Sequence, residues 1–320
     1  MTHTARSRLE RYATLLESDG HRLTIDADTH ISDPDTPAFA RRPAGLLSPD
    51  DYFHGKPISA EDLIETMDAA GIDMSLVWQN PAVTDYTGKP DADFEALLAA
   101  NAYIAGSAER YPERLLPAGW TDPRALGVDG AIRLAEHCVS EFGFPIVKLN
   151  PAQNGFPIDS EPVLSVVREI VRLGAVPAFH FGADTEFTPT SGLRVVAEAV
   201  APHPLIAVHM GGGGASYVEA EETYHAARRL GLKLTNIVYI ESAKRDTHIE
   251  TDFLTYDSTG ARANTRICCA SDAPYGLQVF HFAGYRALLE RHFSADVAQR
   301  YLGGNAATFY AAACRSVLGK

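Results

Sequence analysis

Pro145-Ile146-Val147-Lys148-Leu149, Val176-Pro177-Ala178-Phe179 and Leu205-Ile206-Ala207-Val208 are three short apolar runs, and the stretch 145–208 that holds them decides the fold. Between the first two runs lies Glu161–Leu173, whose apolar residues fall three or four apart, the spacing of one helix face. A parallel strand is reached from its neighbour only through a crossover, which takes about 30 residues with its helix. Outward from this stretch, similar runs recur at Leu23–Ala27, Met74–Trp78, Leu115–Trp120, Ile237–Ile240 and Ile267–Ala270. With Ile25, Leu76, Pro117, Val147, Ala178, Ala207, Tyr239 and Cys269 as centres, the steps are 51, 41, 30, 31, 29, 32 and 30 residues. Eight such strands predict an α/β chain folded as a (β/α)8 TIM barrel rather than an open doubly wound sheet.

The intervening segments Asp91–Tyr111, Val128–Glu141 and Ser216–Leu230 also read as helices. Ser59-Ala60-Glu61-Asp62 opens another as an N-cap with a nearby acid, and Gly71 closes it. The first step is the longest, and its surplus, 32–57, is rich in Pro, Asp and Gly; it reads as a lid-like insertion above the barrel mouth. No linker or repeat divides the chain, so residues 1–320 are expected to form one barrel domain with an N-terminal helix within 1–20. That helix, Ser7–Ser18, would cover the barrel bottom or meet a second copy.

Composition narrows the function. Lys and Arg number 28 against 41 Asp and Glu, a net charge of −13 that disfavours nucleic acid and anionic membrane as partners. Hydrophobic residues make up 46% of the 320 positions, yet no apolar run is long enough for a transmembrane helix. The N-terminus lacks the apolar core of a secretory signal, and Cys138, Cys268, Cys269 and Cys314 show no paired metal or redox spacing. The expectation is a cytoplasmic protein with reduced, buried thiols.

The chemistry collects where a barrel keeps it, at the C-terminal ends of strands. Strand 1 runs out as Asp26-Ala27-Asp28-Thr29-His30, strand 5 ends at His180, strand 6 at His209-Met210 before Gly211–Gly214, and strand 8 at Ser271-Asp272-Ala273-Pro274. Asp28 and His30 are two apart, so an extended backbone sends both to one face. With a ligand from strand 5 and another from strand 8, they would close around one divalent ion; two carboxylates and two imidazoles suit Zn²⁺, the first choice, or Mn²⁺. His209 would stand beside it as a proton-transfer group. Each residue alone has a plainer reading: His180 as a hydrogen-bonded core residue, Asp272 as a turn former, the glycines as a loop. The joint reading rests on one register that brings them all to one rim.

These segments, with Val176–Gly182 and Leu302-Gly303-Gly304-Asn305-Ala306, resemble the amidohydrolase superfamily, more narrowly the amidohydrolase-related branch that includes aminocarboxymuconate-semialdehyde decarboxylase. The resemblance implies a distorted, metal-dependent barrel, often a homodimer, in which Asp28, His30, His180 and Asp272 bind one divalent ion and His209 is the catalytic acid/base. Asp28 departs from the histidine that many members carry; aryl-acid decarboxylases of the branch have a carboxylate there, a glutamate. Those decarboxylases also tend to follow the strand-6 histidine with Met-Gly-Glu, where this chain has Met210-Gly211-Gly212. Lys148 ends strand 4, where binuclear relatives carry a carboxylated, metal-bridging lysine. In a mononuclear site it would instead neutralise a substrate anion or a ligand carboxylate.

Three functions follow. The first is hydrolysis of a small, carboxylate-bearing ester, lactone or amide by a metal-activated water, with Asp272 orienting that water, His209 serving the oxyanion, and Lys148, Arg245 and Arg41-Arg42 as substrate anchors. The second is non-oxidative decarboxylation of a small unsaturated or hydroxy-aryl acid at the same metal. The third, a non-catalytic binding barrel, fits poorly with an intact set of metal-competent residues. No organic cofactor is expected, since neither a dinucleotide fingerprint nor a Walker loop occurs at a strand–helix junction.

Overall fold

A barrel wall of parallel strands runs through a computed structural model that describes residues 1–40, 57–183, 185–213, 221–242 and 246–319. The strands are β1 (Ile25–Ile31), β2 (Met74–Gln79), β3 (Leu115–Pro117), β4 (Gly119–Trp120), β5 (Ile146–Leu149), β6 (Val176–His180), β7 (Leu205–Val208), β8 (Ile237–Glu241) and β9 (Ile267–Cys269). They hydrogen-bond in the orders β1-β2-β3 and β4-β5-β6-β7-β8-β9, every pair parallel.

The third expected strand is thus two pieces. Successive N–H groups of a strand point to opposite neighbours, and Ala118 N donates to Val77 O of β2 at 2.9 Å. The N–H that Pro117 lacks therefore falls on the β5 side, where pairing starts only at Gly119. Closure occurs at the other seam: Asp272 N donates to Asp28 O at 3.0 Å, and His30 N to Ala273 O at 2.6 Å. The expected TIM-barrel architecture is the one observed.

Strand 1 carries Asp28 and His30 within it, as the extended reading of Asp26–His30 expects, and it starts at Ile25 rather than Leu23. Its polar side chains face a closed interior and find partners there, so polarity does not terminate the strand. The ladder to β2 shifts between Asp26 and Thr29, which pair with Ser75 and Val77. One extra residue on β1 makes this a bulge.

The helix after the insertion is Ala60–Ala70, with a reciprocal capping box between Ser59 and Asp62 and Gly71 at φ 63°. The helix expected from Val128 instead starts at Pro123, where the Asp122 carboxylate accepts from Arg124 N and Ala125 N and a proline fits the first turn; Gly127 at φ 69° breaks its course. Helix Glu161–Arg172 buries Val163, Leu164, Val166, Val167 and Ile170, each contributing about 1.5–3 kcal/mol. The N-terminal helix spans His3–Asp19 and covers the barrel bottom: Tyr12 Oη donates to Leu115 O at 2.7 Å, and its ring meets Tyr310 edge-on. All four cysteines are free and buried. Among the described residues no helix is long and apolar enough to cross a membrane. Most of the insertion, 41–56, lies outside the described residues, as do 216–220 of the expected helix Ser216–Leu230, observed as Glu221–Lys233.

Candidate metal centre

Asp28 and His30 come from β1, Lys148 from β5 and His180 from the end of β6, while His209 follows β7 and Asp272 follows β9. Ligand atoms of Asp28, His209 and Asp272, all three buried, lie within 4.8 Å of one another. Among the described residues, the non-glycine positions with positive φ are His209 (74°), Met210 (46°) and Asp272 (59°). Each left-handed residue costs about 1–3 kcal/mol. That strain falls on the turns that aim two candidate ligands into the barrel, which gives it a place in the site's construction.

Asp28 is fully buried, and its two oxygens have different surroundings. Oδ1 accepts from Trp78 Nε1 at 2.6 Å and from Lys148 Nζ at 3.0 Å. Oδ2 is buried and has no hydrogen-bond partner. Burial alone would raise this carboxyl, but the charge and hydrogen bond of Lys148 overcome it and hold Asp28 well below the usual carboxylate range. The Lys148 ammonium in turn lies 4.1 Å from the Trp78 ring centre and 5.7 Å from that of Trp120, a cation between aromatic faces.

His30 sets its own tautomer. Nδ1 is 2.9 Å from Gln79 O, and a carbonyl only accepts, so Nδ1 carries the proton. In the neutral ring Nε2 then presents a lone pair, 3.6 Å from Asp28 Oδ1 and 3.5 Å from Asp272 Oδ1. Three electron-rich atoms converge with no proton among them. Tetrahedral bonds of about 2.1 Å place ligand atoms about 3.4 Å apart, close to these separations. Together with the orphaned Oδ2 of Asp28, this donor set fits a divalent cation.

The two remaining histidines touch each other. His180 Nδ1 is 3.1 Å from His209 Nε2, His180 Nε2 is 2.5 Å from Gly213 O, and His209 Nδ1 is 2.7 Å from Ser242 Oγ. His209 Nε2 lies 4.0 Å from Asp28 Oδ2. Burial lowers both imidazoles, His180 to about 4 and His209 well below its ordinary value, with Lys148 adding to the effect on both and the facing His180 ring to that on His209. Asp272 moves the other way, raised to about 6 chiefly by burial, with the charge of Asp28 adding to the rise. The compact trio includes His209, which the sequence reading took as the proton-transfer group beside an ion held by Asp28, His30, His180 and Asp272; His180 lies against it on the side away from Ser242.

Lys148, expected to neutralise a substrate anion or a ligand carboxylate, sits on the carboxylate of Asp28 and is itself fully buried. A carboxylated lysine at that point would set a negative group against Asp28. Arg245, another expected substrate anchor, lies outside the described residues, as do Arg41, Arg42 and Gly214.

Several groups that line or brace the cluster escaped sequence reasoning: Trp78, Ser242, Gly213 and, beneath the site, Asp26. Asp26 is fully buried and accepts from Ser271 N at 2.9 Å, Ser271 Oγ at 2.5 Å and Gln278 Nε2 at 2.9 Å. It ties β1 to the turn that carries Asp272. The alternation Asp26, Asp28, His30 was its one sequence signal.

The profile of a family described as amidohydrolase matches residues 25–312. Among solved structures, 5-carboxyvanillate decarboxylase from Novosphingobium aromaticivorans, complexed with manganese and 4-hydroxy-3-methoxy-5-nitrobenzoic acid, superposes with a TM-score of 0.67 at 16% identity, covering 90% of this chain and 96% of that one. For 2,6-dihydroxybenzoate decarboxylase from Rhizobium the TM-score is 0.64 at 15% identity, with 90% and 98% covered. Dihydroxybenzoic acid decarboxylase from Polaromonas, with manganese and 2-nitroresorcinol bound, gives 0.63 at 14% identity, with 90% and 97% covered. At these identities the likeness shows a shared fold.

Proposed function

We propose, from the premise that this chain belongs to the amidohydrolase family, that it is a metal-dependent decarboxylase of small hydroxy-aryl carboxylic acids. One observation carries the reading: the strand-1 member of the cluster is a carboxylate, Asp28, held ionised by Lys148 with one oxygen left unpartnered. The solved decarboxylases of the same fold, two of them holding manganese and an aromatic ligand, support it over hydrolysis. They also support Mn²⁺ over the Zn²⁺ that residue chemistry alone put first.

Asp28, His30 and Asp272 would hold the ion, with His180 as the fourth ligand that the family resemblance implies. When bound, the ion supplies positive charge to a substrate carboxylate and its neighbouring hydroxyl, easing the build-up of electrons on the ring carbon. The residues supply the rest. Lys148 and Trp78 fix Asp28 and keep it charged. The Trp78 and Trp120 rings, both fully buried, wall the barrel interior against water. As the carbon–carbon bond breaks and carbon dioxide leaves, the electron pair stays on the ring carbon, which takes a proton from Nε2 of His209. A buried imidazolium gives up that proton readily, and solvent replaces it.

Hydrolysis of a small ester, lactone or amide is the second reading, favoured by Gly212, which stands where those decarboxylases tend to carry a glutamate. The test is a product balance. Metal-free protein loaded with Mn²⁺ or Zn²⁺ is given hydroxybenzoates and, separately, aryl esters and lactones. Carbon dioxide equimolar with the arene, near one bound ion per chain and loss of that ion in His180→Ala are expected. Acid release from esters without carbon dioxide would install the second reading, and failure to retain any ion would sink both.

A further inference from the structure

A cleft of about 270 Å³ lies against the outer face of the wall that carries the metal centre. His30 and Trp78 pair across β1 and β2 and point into the barrel, where both approach Asp28. Side chains alternate along a strand, so the next pair, Ile31 and Gln79, points the other way, toward helix Pro90–Arg110. Ile31, Val83, Ala100 and Tyr103 give the cleft an apolar body. Gln79 belongs to both faces of the wall: its backbone carbonyl accepts from His30 Nδ1 at 2.9 Å, and its side chain lines the cleft. Two polar side chains of this lining have an atom without a partner. Gln79 is 3% exposed; its Oε1 accepts from Thr84 Oγ1 at 2.9 Å, while its Nε2 is buried and unpaired. Ser32 is 7% exposed, and its Oγ is buried and unpaired as well. Buried polar groups are as a rule hydrogen-bonded, so two open ones in a single cleft point to a ligand that answers both.

The chemistry of the lining selects the ligand. An amide N–H donates and a hydroxyl both donates and accepts, which matches a ligand hydroxyl that accepts from the one and donates to the other. Among the described residues that line the cleft, the charged ones are Asp33 and Asp85, both carboxylates. An anion would meet their repulsion and lose its hydration against apolar walls. An uncharged aromatic ring bearing hydroxyls meets neither cost and buries its faces. We propose that this cleft is a second ligand site, separate from the metal centre, that takes an uncharged hydroxy-arene. That is the class of product the decarboxylation proposed above releases: a hydroxybenzoate takes up a proton, its carboxylate leaves as carbon dioxide, and a neutral phenol remains. The identity of the ligand as product rests on that reading; the selectivity of the cleft does not, and a phenol from another source would bind in the same way.

Resorcinol and 2,6-dihydroxybenzoate differ only by the carboxylate and make a matched pair of probes. Each is titrated calorimetrically into metal-free protein at pH 7, so that no ion at the centre holds the hydroxyls. For so small a ring a Kd of about 1 mM is expected, with 2,6-dihydroxybenzoate weaker by about tenfold or more. Ala100→Leu fills the cleft from a helix that accommodates leucine and should weaken resorcinol by about tenfold or more. Ser32→Ala deletes one hydrogen-bonding group and should weaken it about two- to tenfold. Resorcinol binding that Ala100→Leu leaves unchanged lies elsewhere and overturns the proposal; should the leucine variant not fold, unchanged binding in Ser32→Ala overturns it equally. No detectable binding of resorcinol to wild type overturns the site, and equal binding of 2,6-dihydroxybenzoate overturns the class of ligand. If the manganese-loaded protein releases no carbon dioxide from any hydroxybenzoate while resorcinol still binds in the cleft, the decarboxylase reading fails and the second site stands.

Discussion

Replacing Lys148 with methionine tests the electrostatic heart of the site. Methionine keeps most of the stem between Trp78 and Trp120 but removes the ammonium 3.0 Å from Asp28 Oδ1. At that distance the attraction is about 5.5 kcal/mol with an effective dielectric near 20. Part of it offsets the desolvation of two buried ions, and breaking one partner of such a pair costs about 3–5 kcal/mol. The stacking of Lys148 over Trp78 adds about 1–2 kcal/mol to the loss. Trp78 Nε1 still donates to Asp28, so the carboxylate is not wholly abandoned. We therefore expect Lys148→Met to lose about 4 kcal/mol, read by urea denaturation of metal-free protein at pH 7. Asp28→Asn alone should also destabilise, because it leaves the ammonium unpaired, whereas the double variant should recover much of the sum. A coupling energy of about 3 kcal/mol or more between the two sites is the expected result. A coupling under about 1 kcal/mol would refute the view that Lys148 exists to hold Asp28 charged.

Two shorter predictions address the groups around that pair. Trp78→Phe keeps the ring but removes the N–H donated to an ionised oxygen at 2.6 Å, so stability should fall by about 1.5–3 kcal/mol and manganese should bind more weakly; a calorimetric titration with unchanged affinity and an unchanged melting curve would count against it. Asp26→Asn sets an amide against four donors and should destabilise by about 1–3 kcal/mol at pH 5. Burial raises the Asp26 carboxyl to about 7, above its unfolded value, so ionisation works against the fold and wild type loses stability as pH rises from about 4 through 7. The asparagine variant has no such slope. Denaturation curves across that range should show the gap between the two proteins narrowing with rising pH, and a widening gap would contradict the assignment.

Much of the site was readable as residue types at strand ends. The run 145–208 carries its own periodicity: an apolar strand, an amphipathic helix and another strand are local patterns, and a repeat near thirty residues leaves a parallel barrel few rivals. His180, His209 and Asp272 stood out because each ends such a run. The apolar run of strand 1 ends at Ala27, but the spacing of Asp28 and His30 carries the strand on, and the barrel supplies both with buried partners.

The pairings that make the site work had no local signature. Asp28 meets Lys148 across 120 positions, Asp26 meets Ser271 across 245, and His209 meets Ser242 across 33. Sequence by itself determined the parallel barrel, its rim and the kinds of ligand gathered there, since those follow from short-range periodicity and residue chemistry. Only the tertiary structure decided that Lys148 pairs with Asp28 and that Gly213 and Ser242 lie against two histidines. Hydrogen bonds act over about 3 Å, and only closure of the barrel brings groups so distant in the chain within that range.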